Sequence, residues 1–169
     1  MQGPPLTRDI AAIRRKLLIA AGIVLVTDRV SKFWVVEVMD LASRMEIPVS
    51  PPWLTFVMAW NPGINFGLFS GYPETMRWLL VVLAVAISVA LFWWVGRRAA
   101  DPERPSPNAV AIGAGIVIGG ALGNAWDRLQ YGAVADFLNM SCCGIANPYA
   151  FNIADVAIFA GAALIAWKA

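Results

Sequence analysis

Hydrophobic positions along the chain gather into four blocks, and the polar intervals between them differ in kind. The first block covers about residues 16–38. Arg14-Arg15-Lys16 leads into the apolar run Leu17–Val26, and helical spacing continues past Thr27-Asp28-Arg29 through Val30, Phe33, Val35 and Val36. The second, about 76–96, contains Trp78–Val95, where only Ser88 is polar. The third, about 108–128, carries Gly115, Gly119 and Gly123 at every fourth position, on one helical face, a pattern that lets helix backbones approach closely. The fourth covers about 151–168. Predominantly apolar stretches of this length predict membrane-spanning helices, the first with polar residues in its outer half.

Between the first two blocks, prolines at 48, 51, 52 and 62 forbid one long helix. The runs Ile47–Val49 and Trp53–Trp60, rich in β-branched and aromatic residues, predict small strands there, with Trp53 and Trp60 suited to the headgroup level. The second interval is a short polar linker bearing Arg97, Arg98 and Arg104, and the third, residues 129–150, is expected to be a loop. Lys and Arg crowd the N-terminal segment and the linker. The first loop has only Arg44, and the last has none after Arg128. That asymmetry predicts cytoplasmic termini and two outward-facing loops.

Composition agrees. Hydrophobic residues make up 59% and charged residues 14%, where soluble domains carry about 25% charged. The expected fold is an all-α integral membrane protein, a single domain over residues 1–169 with four transmembrane helices and a small β-sheet in the first outer loop. A net charge of +2 gives no reason to expect nucleic acid as a partner. The chain has no histidine, which removes Ser-His-Asp and Cys-His catalysis and imidazole metal sites. Cys142 and Cys143 adjoin, which is no zinc spacing. No metal or organic cofactor is implied, and hydrolytic chemistry would have to rest on Asp, Glu, Lys or Ser.

The chemistry concentrates between Gly119 and Asp155, where Asn124, Asp127, Arg128, Asp136, Asn152 and Asp155 interrupt apolar sequence. Ionisable groups at membrane depth are costly and mark function. Asp136 and Asp155 each have apolar sequence neighbours, so burial should favour their neutral forms. Brought close, they would share a proton and titrate as a pair, as an aspartic protease requires. The alternative is that each caps a helix. Asn124, Asp127 and Arg128 share a helix face, and Asp28 and Lys32 stand at i and i+4 with opposite charge. Asn61-Pro62-Gly63 is a turn signal. A small transporter or channel using these carboxylates as ion ligands, or a purely structural subunit, are the competing classes.

These residues carry a resemblance. Asp28-Arg29-Val30-Ser31-Lys32, Asn61-Pro62-Gly63 with Phe66, Gly119 through Arg128, Gly132, Val134-Ala135-Asp136-Phe137 and Phe151 through Asp155 stand in the order and spacing of bacterial lipoprotein signal peptidase, signal peptidase II. The resemblance implies an intramembrane aspartic endopeptidase of the inner membrane. It would cut before the diacylglyceryl-modified cysteine of prolipoproteins, and globomycin-type cyclic peptides would inhibit it. It makes Asp136 and Asp155 catalytic. Asn61, Gly63, Asn124, Asp127, Arg128, Asn152 and Ala154 become site supports or substrate contacts, and Asp28, Lys32, Gly120 and Gly123 become structural. A monomer working among membrane lipids is expected.

Overall fold

The computed structural model describes residues 9–63, 73–142 and 147–169, so Phe66 and Cys143 lie outside the described residues. Helix α1 (Ile10–Lys32) begins where Asp9 caps it, accepting the Ala12 amide at 3.0 Å. Its buried stripe is Ile13, Leu17, Ala21, Asp28 and Lys32. One helical face therefore changes from apolar to charged along its length. A π-helical turn, Phe33–Val38, extends the path, and a four-residue helix α2 (Leu41–Arg44) follows.

Helix α3 (Pro73–Ala100) and helix α4 (Pro107–Tyr131) come next, and α5 (Ile153–Lys168) ends the chain. Residues Glu74–Ala100 and all of α4 are each long and apolar enough to cross a membrane. Helix α4 is central and packs on α1, α3 and α5. Its glycines make this possible on two faces. A Cβ on Gly119 would lie 2.5 Å from the Ala21 carbonyl oxygen of α1, and one on Gly115 would collide with that of Leu17. On the other face, a Cβ on Gly120 would stand 2.5 Å from the Ala154 carbonyl oxygen of α5. Only the first face was legible from the every-fourth-residue spacing.

Helix α4 ends because Gly132 takes φ +80°, a left-handed conformation that suits glycine, and donates its amide to the Arg128 carbonyl at 3.1 Å. This turn redirects the chain into a strand. Residues 129–150 are thus not simply a loop. They contain β3 (Val134–Met140), which pairs antiparallel with β2 (Leu54–Asn61), itself paired with β1 (Glu46–Ser50). The sheet expected within the first outer loop is completed by a strand from between α4 and α5. The sequence hides this strand because Ala133 to Phe137 are all buried, so no period-two alternation marks it.

Register places Ala59 opposite Asp136 and Asn61 opposite Val134. A core of Val35, Val36, Leu41, Met58, Ala135 and Phe137 fastens the sheet to the π-helical turn after α1 and to α2, with Phe56 and Phe137 edge to face at 5.8 Å. Near the end of β3, Asn139 Nδ2 donates to the carbonyl oxygens of Asn147 and Tyr149 at 2.7 and 3.0 Å. Phe151 then pairs with Leu138, which brings the start of α5 beside the strand.

Candidate active site

Asp136 and Asp155 reach the same place by different routes. Asp136 sits within β3 and is 4% exposed. Asp155 is the third residue of α5, in a capping box with Asn152: the Asp155 amide donates to Asn152 Oδ1 at 2.9 Å, and the Asn152 amide to Asp155 Oδ2 at 3.2 Å. Asp155 is therefore a helix-capping residue as well as a member of the site.

Three asparagines occupy the remaining carboxylate oxygens. Asn152 Nδ2 donates to Asp136 Oδ1 at 2.7 Å, Asn61 Nδ2 to Asp136 Oδ2 at 3.2 Å, and Asn124 Nδ2 to Asp155 Oδ1 at 2.8 Å. Asn152 Nδ2 also donates to Asn124 Oδ1 at 3.1 Å. The pair is thus joined through Asn152 and Asn124, and among the described residues each of the four carboxylate oxygens accepts one N–H. Gly63 donates its amide to Asn61 Oδ1 at 3.2 Å, a turn that aims the Asn61 amide at Asp136.

Burial, above all, and the nearby Asp155 carboxylate push the Asp136 carboxyl up from 3.8 to about 6. The amide donors of Asn61 and Asn152, and the Lys32 ammonium, pull it the other way. A carboxyl balanced in this manner can hold a proton or release one near neutral pH, which suits general acid–base work.

Asp127 does not touch the pair. It accepts the Ala135 amide at 3.2 Å and pairs with Arg29 and, at 2.6 Å, with Lys32. Lys32 also holds Asp28 at 2.9 Å and reaches Asn124 Oδ1 at 3.4 Å. Asp28 in turn accepts the Ala154 amide at 3.1 Å. Arg128 donates to the Asn124 carbonyl at 3.3 Å, within electrostatic range of both Asp136 and Asp155. A Cβ on Gly123 would stand 2.7 Å from Asp28 Oδ2. Two participants escaped the sequence reading. Arg29 was visible only as one letter of its motif, and the Ala135 amide carries no side-chain signal at all.

The chain has counterparts among known proteins. Residues 20–169 match the family described as signal peptidase (SPase) II. The chain is 43% identical over 154 residues to the lipoprotein signal peptidase of Rhodopseudomonas palustris (strain ATCC BAA-98 / CGA009), covering 89% of each. It is 38% identical over 146 residues to that of Methylobacterium sp. (strain 4-46), covering 86% of this chain and 83% of the other. Two solved structures described as bacterial membrane enzymes superpose with TM-scores of 0.68 and 0.69 at 26% and 25% identity. They cover 88% and 89% of this chain, and 84% and 90% of the other. With a match over nearly its whole length and relatives well above 30% identity, the chain belongs to the signal peptidase II family of proteases.

Proposed function

We propose that Asp136 and Asp155 are the catalytic pair of an aspartic endopeptidase that removes signal peptides from diacylglyceryl-modified prolipoproteins, cutting before the lipidated cysteine. The observation that carries this is the joint hold of Asn152 on both carboxylates, one through its side chain and one through its backbone amide. The substrate class follows from the family and from the names of the relatives. In the reaction one carboxylate takes a proton from a water molecule, whose oxygen attacks the scissile carbonyl. The other, protonated, donates to the carbonyl oxygen as it gains charge. Collapse of the tetrahedral intermediate breaks the C–N bond, and the departing amine takes up a proton from the pair.

The setting is a single membrane domain with four spans near residues 16–38, 76–96, 108–128 and 151–168, cytoplasmic termini and a site close to the outer face of the bacterial inner membrane. In support, Leu79, Val82, Leu83, Val85 and Val89 form an exposed apolar surface on α3 that lipid would cover. Helix α5 brings Phe159 and Trp167 outward at 77% and 78% exposure. The enzyme works as a monomer surrounded by lipid, and globomycin-type peptides would compete with substrate for the Asp136–Asp155 site.

The test uses purified protein with a synthetic prolipoprotein segment bearing a diacylglyceryl-cysteine, read by mass spectrometry. Wild type should cut immediately before the modified cysteine, and Asp136→Asn and Asp155→Asn should not cut. Turnover by either folded variant would refute the pair.

A further inference from the structure

Each candidate catalytic aspartate follows an alanine whose backbone amide is gripped by a carboxylate from elsewhere in the bundle. Ala135, before Asp136, donates to Asp127 Oδ2 at 3.2 Å. Ala154, before Asp155, donates to Asp28 Oδ1 at 3.1 Å. Asp28 and Asp127 are both fully buried. They do not lie in one element: Asp28 belongs to α1 and Asp127 to α4. The two grips are nevertheless mechanically one, because Lys32 Nζ lies 2.9 Å from Asp28 and 2.6 Å from Asp127. Arg29 reinforces the link, pairing with Asp127 and standing 3.4 Å from Asp28.

Two acids and two bases balance, so the cluster neutralises itself without help from the catalytic carboxylates. Buried ion pairs are often replaceable by apolar residues without loss of stability. This one has a feature that stability alone does not require. Each acid also accepts a backbone amide, and both amides lie one residue upstream of the reacting groups. Consecutive Cα atoms are about 3.8 Å apart, so fixing Ala135 and Ala154 leaves little play in Asp136 and Asp155. Misplacement of a reacting group by about 1 Å is enough to slow an enzyme about 100-fold.

We propose that Asp28, Arg29, Lys32 and Asp127 form a two-armed brace that sets the spacing of Asp136 and Asp155, which makes Arg29 and Lys32 positioning residues for peptide-bond cleavage. The proposal rests on the reading of Asp136 and Asp155 as the catalytic pair. Its two arms are separable: Asp127 serves the strand that carries Asp136, and Asp28 serves the helix that carries Asp155.

Arg29 is the most informative position, since among the described residues its ion pairs are with the brace acids Asp28 and Asp127, and its side chain is 23% exposed. The experiment compares full-length wild type, Arg29→Gln, Arg29→Lys and Asp127→Asn with Asp136→Asn and Asp155→Asn, on the synthetic diacylglyceryl-cysteine substrate. Thermal unfolding gives the folded fraction of each. Arg29→Gln is expected to lower kcat severalfold with KM within about twofold, and Arg29→Lys to restore most of the rate. Asp127→Asn keeps an oxygen for the Ala135 amide but loses both cations, and should fall further.

The pH profile separates a brace from a mere charge. The charges facing Asp136 are Asp155, Lys32 and Arg128, with amides from Asn61 and Asn152. A slackened brace lets the two carboxylates separate and lessens their repulsion, so the limb belonging to Asp136 moves to lower pH in Arg29→Gln. Loss of a nearby positive charge alone would move it the opposite way. Wild-type kcat and an unmoved limb in folded Arg29→Gln would overturn the brace, as would an upward shift. Should Asp127→Asn fail to fold, Arg29→Gln decides by itself. If Asp136→Asn or Asp155→Asn still cuts, the catalytic reading fails, and the brace falls with it for a distinguishable reason.

Discussion

Asn152 Nδ2 stands 2.7 Å from Asp136 Oδ1, and this contact crosses from the first residue of a helix cap to the middle of a strand. Asn152 is fully buried and has two tasks, capping α5 and presenting a donor to Asp136. Substitution can separate them. Asn152→Ala should lose about 1 kcal/mol of stability from the missing cap and lower kcat by about 10- to 100-fold through displacement of the pair. Serine is an equally good cap but has no amide to give Asp136. Asn152→Ser should therefore recover the stability and remain slow. Unfolding midpoints and steady-state kinetics on the three proteins check this; a Ser variant as fast as wild type would reduce Asn152 to a cap.

The Asn61 amide donates to Asp136 Oδ2 at 3.2 Å and holds the carboxyl below the value that burial alone would impose. Removing it in Asn61→Ala should let the Asp136 carboxyl rise further above about 6. The corresponding limb of the kcat/KM profile then moves to higher pH, measured with the same lipidated substrate across that window.

Linkage gives a stability prediction of definite sign. The Asp136 carboxyl is raised in the folded protein, from 3.8 to about 6. Its contribution is therefore fully present below the unfolded value and is lost as pH rises through about 6, where the fold must bury an ionised carboxylate. Asp136→Asn abolishes this dependence. Relative to wild type, it should gain on the order of 2–3 kcal/mol on going from acid conditions below 3.8 to pH well above 6. Denaturant unfolding of both proteins at the two ends measures the difference, and equal pH dependence would refute it.

Much of the candidate site could be read from the chain because membrane sequence is so uniformly apolar that polar residues announce themselves. Asp28, Lys32, Asn124, Asp127, Asn152 and Asp155 stood out for that reason, and Asp28 and Lys32 pair as their spacing implied. The intervals of apolar sequence likewise gave the long helices. What stayed hidden depends on backbone and on distant partners. Strand β3 finds its partner in β2, with Asp136 opposite Ala59, a pairing that no local pattern predicts. Asp28 and Asp127 accept the amides of Ala154 and Ala135, and amides have no letter in a sequence. Gly120 was marked as structural through the family resemblance, but the reason for it, the Ala154 carbonyl oxygen, belongs to a helix about thirty residues later.

The orientation is tested by accessibility. In a Cys142→Ser, Cys143→Ser background, a membrane-impermeant thiol reagent applied to intact spheroplasts should label Asp40→Cys, beyond α1, and spare Glu103→Cys, between α3 and α4. Permeabilisation should expose the second. The reverse pattern would place the Asp136–Asp155 site on the cytoplasmic face.

Glycine substitutions connect packing to catalysis. A Cβ at Gly22 meets nothing within 4 Å, so Gly22→Ala should be neutral or add up to about 1 kcal/mol through helix propensity. A Cβ at Gly120 would stand 2.5 Å from the Ala154 carbonyl oxygen and 2.9 Å from Ile158 Cγ1. Helix α5 must then move away from α4, at a typical overpacking cost of about 1–3 kcal/mol. The movement is not confined to packing. Ala154 precedes Asp155, and its amide is the one Asp28 holds, so displacing α5 draws Asp155 away from Asn124. Gly123→Ala attacks the same assembly from the other side, 2.7 Å from Asp28 Oδ2. Both variants should therefore lose more activity than their folded fraction accounts for, while Gly22→Ala keeps wild-type turnover. Activity per folded molecule, from thermal unfolding and initial rates on the same preparations, is the quantity to compare. If Gly120→Ala and Gly123→Ala match wild type on that scale, close helix packing and the placement of Asp155 are independent.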